Sequence, residues 1–400
     1  MKTQFSRRKL LQGAGAVAGG LAASKMTGGL INPAFAQAAP EKSALLVVFL
    51  EGGYNSVFGS ADSYAPAGTF GVTGTNQSNL GNGLVVDGPT FGTLSPYALQ
   101  HMSTVGVRHG ITAHGTAQNA DFSDGSRSYA LRLAAAMGGE AAIKAVQLGA
   151  RNVPGAKPAE GSVSLQVITD MSSTIAALGG ATDPTIPDRA IAANGLLAAR
   201  NMSARAISGS PRMLTSMTEG YAAGIETLQK PVRPFNFTDL TTAYGVAATT
   251  RTVNNFTNQI LAAELMIQAG ANVAVAMDGG WDTHGDTNAN NVRNMMNTRI
   301  LPPLKVFMNR MMNRPDMNVG ILIFGDFARS LPGSDHASAL SATVIGKYVK
   351  VGTTGKMSAN VQLPAGTPSV PGLWSYLSEI MKVPTSANPF GPNQHPSLLL

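Results

Sequence analysis

Cysteine is absent from the 400 residues. That excludes disulfides, even in an oxidising compartment, and it excludes thiolate metal ligands. It also leaves no residue for a lipoprotein anchor, which needs a cysteine at the cleavage site. Any metal site must therefore be built from histidine, carboxylate and hydroxyl oxygen. Dense Lys/Arg clusters interleaved with aromatics are missing as well. The formal charge of +7 is mostly local: Lys2, Arg7, Arg8, Lys9 and Lys25 lie within residues 1–36, which carry no acidic residue, and without these five the balance is 7 − 5 = +2. No nucleic-acid partner is expected from that surface. Internal repeats and low-complexity linkers are also lacking. Beyond residue 36 no stretch is apolar and long enough to span a membrane, so no membrane span is expected after cleavage.

What is present begins with an export signal. "SRRKLL" (residues 6–11) has paired arginines, the Gly/Ala-rich "LLQGAGAVAGGLAA" is only mildly apolar, and "AFA" (Ala34, Phe35, Ala36) is a small-x-small cleavage site. Basic region, short apolar region and small-residue site are the three parts of a secretory signal. Twin arginines before a Gly-rich core resemble a twin-arginine (Tat) signal, with a mature start near Gln37. The Tat translocase is then the expected partner during export, and the periplasm, or another exported location, the expected destination.

The remaining chain is long enough, and with 44% hydrophobic residues apolar enough, to bury a sizeable core. "SALLVVFL" (43–50), "STVGVRHGI" (103–111), "SVSLQVITD" (162–170), "ANVAVAMD" (271–278) and "NVGILIFGDF" (318–327) read as strands. "YALRLAAAMGG" (129–139), "AIAANGLLAARNMSARAI" (190–207), "TNQILAAELMIQAG" (257–270) and "NNVRNMMNTRILPPLKVFMNRMMN" (290–313) read as helices, the last interrupted by Pro302 and Pro303. Residues 67–92 read as a long polar loop and "TLQKPVRPFNF" (227–237) as an irregular joint. Strands alternating with helices predict an α/β fold, a mainly parallel sheet with helices on both faces. A single domain over 37–400 is expected, with 150–250 as a helical insertion.

Such sheets bind ligands at the carboxyl ends of their strands. Past the first strand come Glu51, Gly52, Gly53, Tyr54 and Asn55. Past "ANVAVAM" come Asp278, Asp282 and His284, within "GGWDTHGDTN". Past "NVGILIFG" comes Asp326, followed by Asp335 and His336 in "GSDHAS", and the strand at 103–111 leads to His109 and His114. If these strands are parallel neighbours, their polar groups converge on one edge. Carboxylates and imidazoles without cysteine suit Zn, Mn, Mg or Ca, as one or two ions. Asp326 also fits the N-cap of a helix in "FARSL", and Trp281 fits as a wedge of the turn against the core. His101 and His395 read as ordinary packed or surface histidines, and the 18 methionines as core.

In that order, "VVFLEGGYNSV", "SRSYA", "QILAAELMIQAGANVAVAMDGGWDTH" and "ILIFGDFARSLPGSDH" resemble the bacterial Tat-exported family catalogued as domain of unknown function 1501, related to the alkaline phosphatase and sulfatase superfamily. The resemblance runs from the signal almost to the C-terminus. It implies an alkaline-phosphatase-like fold in which Asp and His hold two metals flanking a Ser or Thr nucleophile, for in-line displacement at phosphorus or sulfur. Carried over, Asp282, His284, Asp326 and His336 are implied ligands, with Asp335 close behind and Asn55 at the position of the first acid. Ser128 is the implied nucleophile, with Thr116 and Ser56 as rivals. Three departures stand out: Asn55 replaces an acid, Tyr129 replaces a histidine, and Arg329 is displaced from the family's arginine position. The implied function is a metal-dependent hydrolase of phosphate or sulfate esters, with a small-molecule ester as substrate. The alternative is a non-catalytic descendant acting as a periplasmic binding or envelope-associated protein.

Overall fold

The run "SALLVVFL" becomes the central strand of a nine-stranded sheet. The structure, a computed structural model, describes residues 42–64, 74–139, 141, 143–155, 159–160, 163–172, 174, 189–206, 237–329, 334–358 and 360–400. The expected signal peptide and most of the expected joint at 227–237 lie outside the described residues. From Lys42 to Leu400 the described residues belong to one compact unit.

The strands are β1 (Lys42–Leu50), β2 (Tyr54–Asn55), β3 (Gln77–Gly81), β4 (Leu84–Asp87), β5 (Met102–Arg108), β6 (Ala145–Leu148), β7 (Ala159–Glu160), β8 (Val163–Ile168), β9 (Val273–Asp278), β10 (Met317–Gly325), β11 (Ala328–Arg329), β12 (Ala339–Gly346) and β13 (Gly352–Thr353). The main sheet runs β13-β5-β12-β10-β1-β9-β6-β8-β7. Its centre, β10-β1-β9-β6-β8, is parallel throughout. β12 pairs antiparallel with both β10 and β5, and the short edge strand β7 pairs antiparallel with β8. The expected mainly parallel sheet is therefore present, as a mixed sheet, and the strand at 339–346 is one the periodicity reading passed over.

Main helices are α1 (Pro96–Gln100), α2 (His114–Phe122), α3 (Tyr129–Met137), α4 (Arg189–Ala206), α5 (Phe237–Ala243), α6 (Phe256–Gln268), α7 (Asn290–Met295), α8 (Leu301–Phe307) and α9 (Val370–Ile380). Side chains of β1 alternate between two cores, as a pleated strand buried on both faces requires. Ala44, Leu46, Val48 and Leu50 pack with Ile260, Leu261 and Leu265 of α6 and with Leu301, Leu304 and Phe307 of α8. Leu45, Val47 and Phe49 pack with Leu131 and Leu133 of α3 and with Leu373, Trp374 and Leu377 of α9. Each fully buried Leu or Val contributes about 1.5–3 kcal/mol, so β1 anchors both layers. None of the described helices is long and apolar enough to cross a membrane.

Two local expectations change. Within 67–92, residues 77–87 form the hairpin β3–β4, and Asn82 and Gly83 take φ of 49° and 78° between its strands. An Asn-Gly pair with both φ positive is the preferred two-residue hairpin turn, so the loop reading missed a standard signal. The helix of 290–313 is also not broken at Pro302 and Pro303. A wider π turn, Met296–Ile300, precedes α8, and the prolines fall at its start, where a missing N–H costs little.

Register brings the functional edge together. Leu50 pairs with Asp278 and with Gly325, so β1, β9 and β10 end in step. Ala339, which opens β12, pairs with Arg108, which closes β5. The chain after β1, β5, β9 and β10, and the chain entering β12, therefore all emerge on one edge of the sheet.

Candidate metal centre

Gly52 and Gly53 turn the chain off β1 with φ of +117° and +124°, and both are sites of close approach. A Cβ on Gly52 would lie 2.2 Å from the Asp282 backbone nitrogen, and one on Gly53 2.7 Å from Arg329 Nε. The glycines thus let the loops after β9 and β10 pass against the end of β1. Trp281 is fully buried and wedges the second loop, its Nε1–H donating to Asp278 Oδ2 at 2.9 Å. Arg299 Nη2 holds the same carboxylate at 2.6 Å. With Trp281 inserted in the core, Asp282, Thr283 and His284 are left at the surface edge.

The third loop supplies Asp326, with no exposed surface and both oxygens engaged. Oδ1 accepts the Gly52 N–H at 3.0 Å; Oδ2 accepts His114 Nδ1–H at 2.6 Å and Gln118 Nε2–H at 3.0 Å. It caps no helix, because Ala328 and Arg329 go on to pair with Tyr54 and Asn55 as the short parallel ladder of β11 and β2. His114 and Gln118, one turn apart on α2, reach the same carboxylate oxygen.

Hydrogen bonding orients the imidazoles. The Asp326 carboxylate accepts the His114 Nδ1–H, which turns His114 Nε2 toward Asp282 Oδ2 at 3.5 Å. His336 Nδ1–H donates to the Thr112 carbonyl at 2.6 Å, and its Nε2 faces His284 Nε2 at 2.9 Å and Asp282 Oδ1 at 3.9 Å. His284 Nε2 is 3.3 Å from Asp282 Oδ1, and its Nδ1 is 3.7 Å from Asp335 Oδ1. Phe327 stacks on His336 at 4.3 Å and tilts against His114 at 4.9 Å, bracing both rings.

His114, Asp282 and His336 each offer one ligand atom, all within 4.8 Å of one another, and are the one such group among the described residues that could hold a metal ion. Two atoms bound about 2.0–2.1 Å from a tetrahedral zinc lie about 3.3 Å apart, and His114 Nε2 and Asp282 Oδ2 stand 3.5 Å apart. His114 and His336 also have the outer support that metal-binding histidines usually have, with the distal N–H held by a carboxylate or carbonyl. Electrostatics favour the required protonation states of Asp282 and His336. Burial works to raise the Asp282 carboxyl, but the charge and hydrogen bond of Arg329, with His114 and His284, bring it below its ordinary range. For His336, burial, together with the charges of Arg329, His114 and His284, outweighs the Thr112 bond and keeps the imidazole neutral near pH 7.

Not every residue singled out in the sequence comes here. Asp282, His284, Asp326, Asp335 and His336 share one chain of contacts. Asn55 does not join it: its Oδ1 accepts the Val57 N–H at 2.9 Å and caps the turn Ser56–Phe58. Ser128 is the N-cap of α3, accepting the Leu131 N–H at 3.4 Å, and is buried. Ser56 bonds Tyr64 and the Arg329 carbonyl, and Thr116 is exposed on α2. Tyr129 packs on Trp374 and Phe390. His114, left unmatched by motif reasoning, is central. The available signal was His114 and Gln118 at helical spacing directly after a strand. Thr112 contributes only a carbonyl, for which no sequence signal exists.

The chain matches no protein-family model, no curated protein and no solved structure.

Proposed function

We propose that this chain is an exported, metal-dependent hydrolase-like protein of alkaline-phosphatase-like fold, acting on phosphate or sulfate esters. The observation that supports it most is the pair of imidazoles, His114 and His336, each held at Nδ1 by an oxygen and facing Asp282. His114, Asp282 and His336 would hold the ion, with Asp326 and the Thr112 carbonyl fixing the rings from behind. Imidazole nitrogen with a single carboxylate oxygen suits zinc better than magnesium or calcium, which take oxygen donors. Bound there, a divalent ion supplies a Lewis acid for a phosphoryl or sulfuryl oxygen. Three protein ligands with room for a further oxygen is the pattern of catalytic zinc sites. Water suits this arrangement as nucleophile better than Ser128, whose hydroxyl is engaged at the start of α3. Export through the Tat translocase to the periplasm belongs to the same reading and rests on residues 1–36.

One observation favours the non-catalytic reading. His284 Nε2, 2.9 Å from His336 Nε2 and 3.3 Å from Asp282 Oδ1, stands where it could complete four ligands, and a closed four-ligand sphere is typical of structural zinc. The test is zinc-loaded protein assayed on p-nitrophenyl phosphate and p-nitrophenyl sulfate, with His284→Ala alongside. Turnover that disappears in Asp282→Ala supports the hydrolase. Tight zinc binding with no turnover in either the wild type or His284→Ala favours the binding protein.

A further inference from the structure

Arg329 is fully buried, and its guanidinium touches all three loops of the centre. Nε donates to the Gly52 carbonyl at 2.9 Å, Nη2 donates to the same carbonyl and to Asp282 Oδ1, and Nη1 donates to the Ser334 carbonyl. Gly53 must be glycine for the side chain to pass. Ser334, held by this bond, takes φ of +55°, a left-handed conformation unfavourable for serine. A planar fork with five N–H groups can bind these oxygens together; a lysine ammonium on a flexible stem cannot hold the same geometry.

Asp326 has both carboxylate oxygens engaged by Gly52, His114 and Gln118; Asp282 has Oδ1 held by Arg329, with His284 Nε2 3.3 Å away, and Oδ2, facing His114 Nε2 at 3.5 Å, is its one oxygen without a guanidinium bond. Asp335 stands at the rim, its side chain 77% exposed. Asp282 and Asp326 bring two negative charges and Arg329 cancels one. One dication then leaves the cluster at +1, whereas a second would leave it at +3 in a half-buried setting, with only the rim carboxylate to offset it.

Building on the metal reading above, we propose that Arg329 is a positioning residue, a fixed internal cation that aims Asp282 at a single ion and makes the centre mononuclear. The full-length chain, stripped with a chelator and titrated with zinc, should bind one ion per chain. Arg329→Lys keeps the charge but loses the fork, so zinc affinity should fall about 10–100-fold, the usual cost of removing an outer partner of a ligand. The absorption spectrum of the cobalt(II)-substituted protein should change with it, a readout that a purely loop-clamping role would leave alone. Two zinc ions per wild-type chain overturn the proposal. So does an Arg329→Lys variant with affinity within threefold of wild type and an unchanged cobalt spectrum. If Arg329→Lys does not fold, the wild-type stoichiometry still decides. A wild-type chain that binds no zinc, or an Asp282→Ala variant that binds it normally, instead sinks the metal reading on which this rests.

Discussion

Replacing Gly52 by alanine tests whether the sheet edge assembles the centre as described. The new Cβ would lie 2.2 Å from the Asp282 nitrogen, 2.6 Å from the Trp281 carbonyl carbon and 3.0 Å from the Asp282 Cα, all backbone atoms with no flexible end to move aside. Two costs add. Holding a residue with a Cβ in the left-handed region costs about 1–2 kcal/mol, and forcing apart a packed contact costs about 1–3 kcal/mol. A loss of about 2–5 kcal/mol is expected by denaturant unfolding in the presence of chelator. Gly285→Ala is the control: it has φ of +82° but nothing within 4 Å of the added atom, so only the strain of about 1–2 kcal/mol applies. The centre should suffer too, because the Gly52 N–H holds Asp326 and its carbonyl holds Arg329. Zinc affinity measured by calorimetry should fall about 10–100-fold in Gly52→Ala and stay near wild type in Gly285→Ala. Equal stability losses in the two variants, with zinc binding preserved in both, would refute the close-approach argument.

Ser128→Ala should cost about 0.5–2 kcal/mol, as loss of a helix cap does, while leaving zinc binding and ester turnover unchanged; a large fall in turnover at intact zinc content would restore Ser128 as nucleophile. Asp121, buried with neither carboxylate oxygen hydrogen-bonded, is pushed well above its ordinary pKa by burial and then by the Asp326 charge. Its folded form keeps the proton while the unfolded chain ionises above about pH 4, so this group lowers stability as pH rises toward neutrality. Asp121→Asn should remove that slope, and denaturation at pH 4.5 and 7 should show the variant gaining on wild type at the higher pH. His395, 1% exposed, is lowered by burial to about 4. Its neutral form is required in the fold, so stability is complete above the unfolded value near 6.5 and is lost as pH falls toward 4, by roughly 3 kcal/mol at ~1.4 kcal/mol per unit. Unfolding of His395→Phe should show a correspondingly flatter acid limb, and an unchanged limb would mean another group carries it.

Much of this molecule is legible locally. The continuous branched runs of β1, β9 and β10 carry their own evidence of burial on two faces, and alternation with α6 through α8 implies parallel strands. Because parallel strands expose their carboxyl ends on one edge, "GGWDTH" and "GSDH" could be placed together from order alone. The hairpin at Asn82-Gly83 was equally legible, because an Asn-Gly pair within the polar stretch 67–92 is itself a hairpin-turn signal. Other features were not in the sequence in any local sense. β12 joins antiparallel because β5 and β10 leave a gap that only the assembled sheet defines. Asn55 and Ser128 have the right chemistry, but their side chains are committed to their own backbone neighbours. His114 enters the centre, and Asp326 becomes its support, through a hydrogen bond spanning 212 residues. Arg329 reads as a displaced residue until Gly52, Ser334 and Asp282 close around it. The sequence by itself determined which segments are buried and on which edge polar groups gather, since those follow from periodicity and strand direction. Tertiary structure alone decided which oxygen or nitrogen each side chain turns to, because that depends on backbone atoms brought close by packing between distant loops.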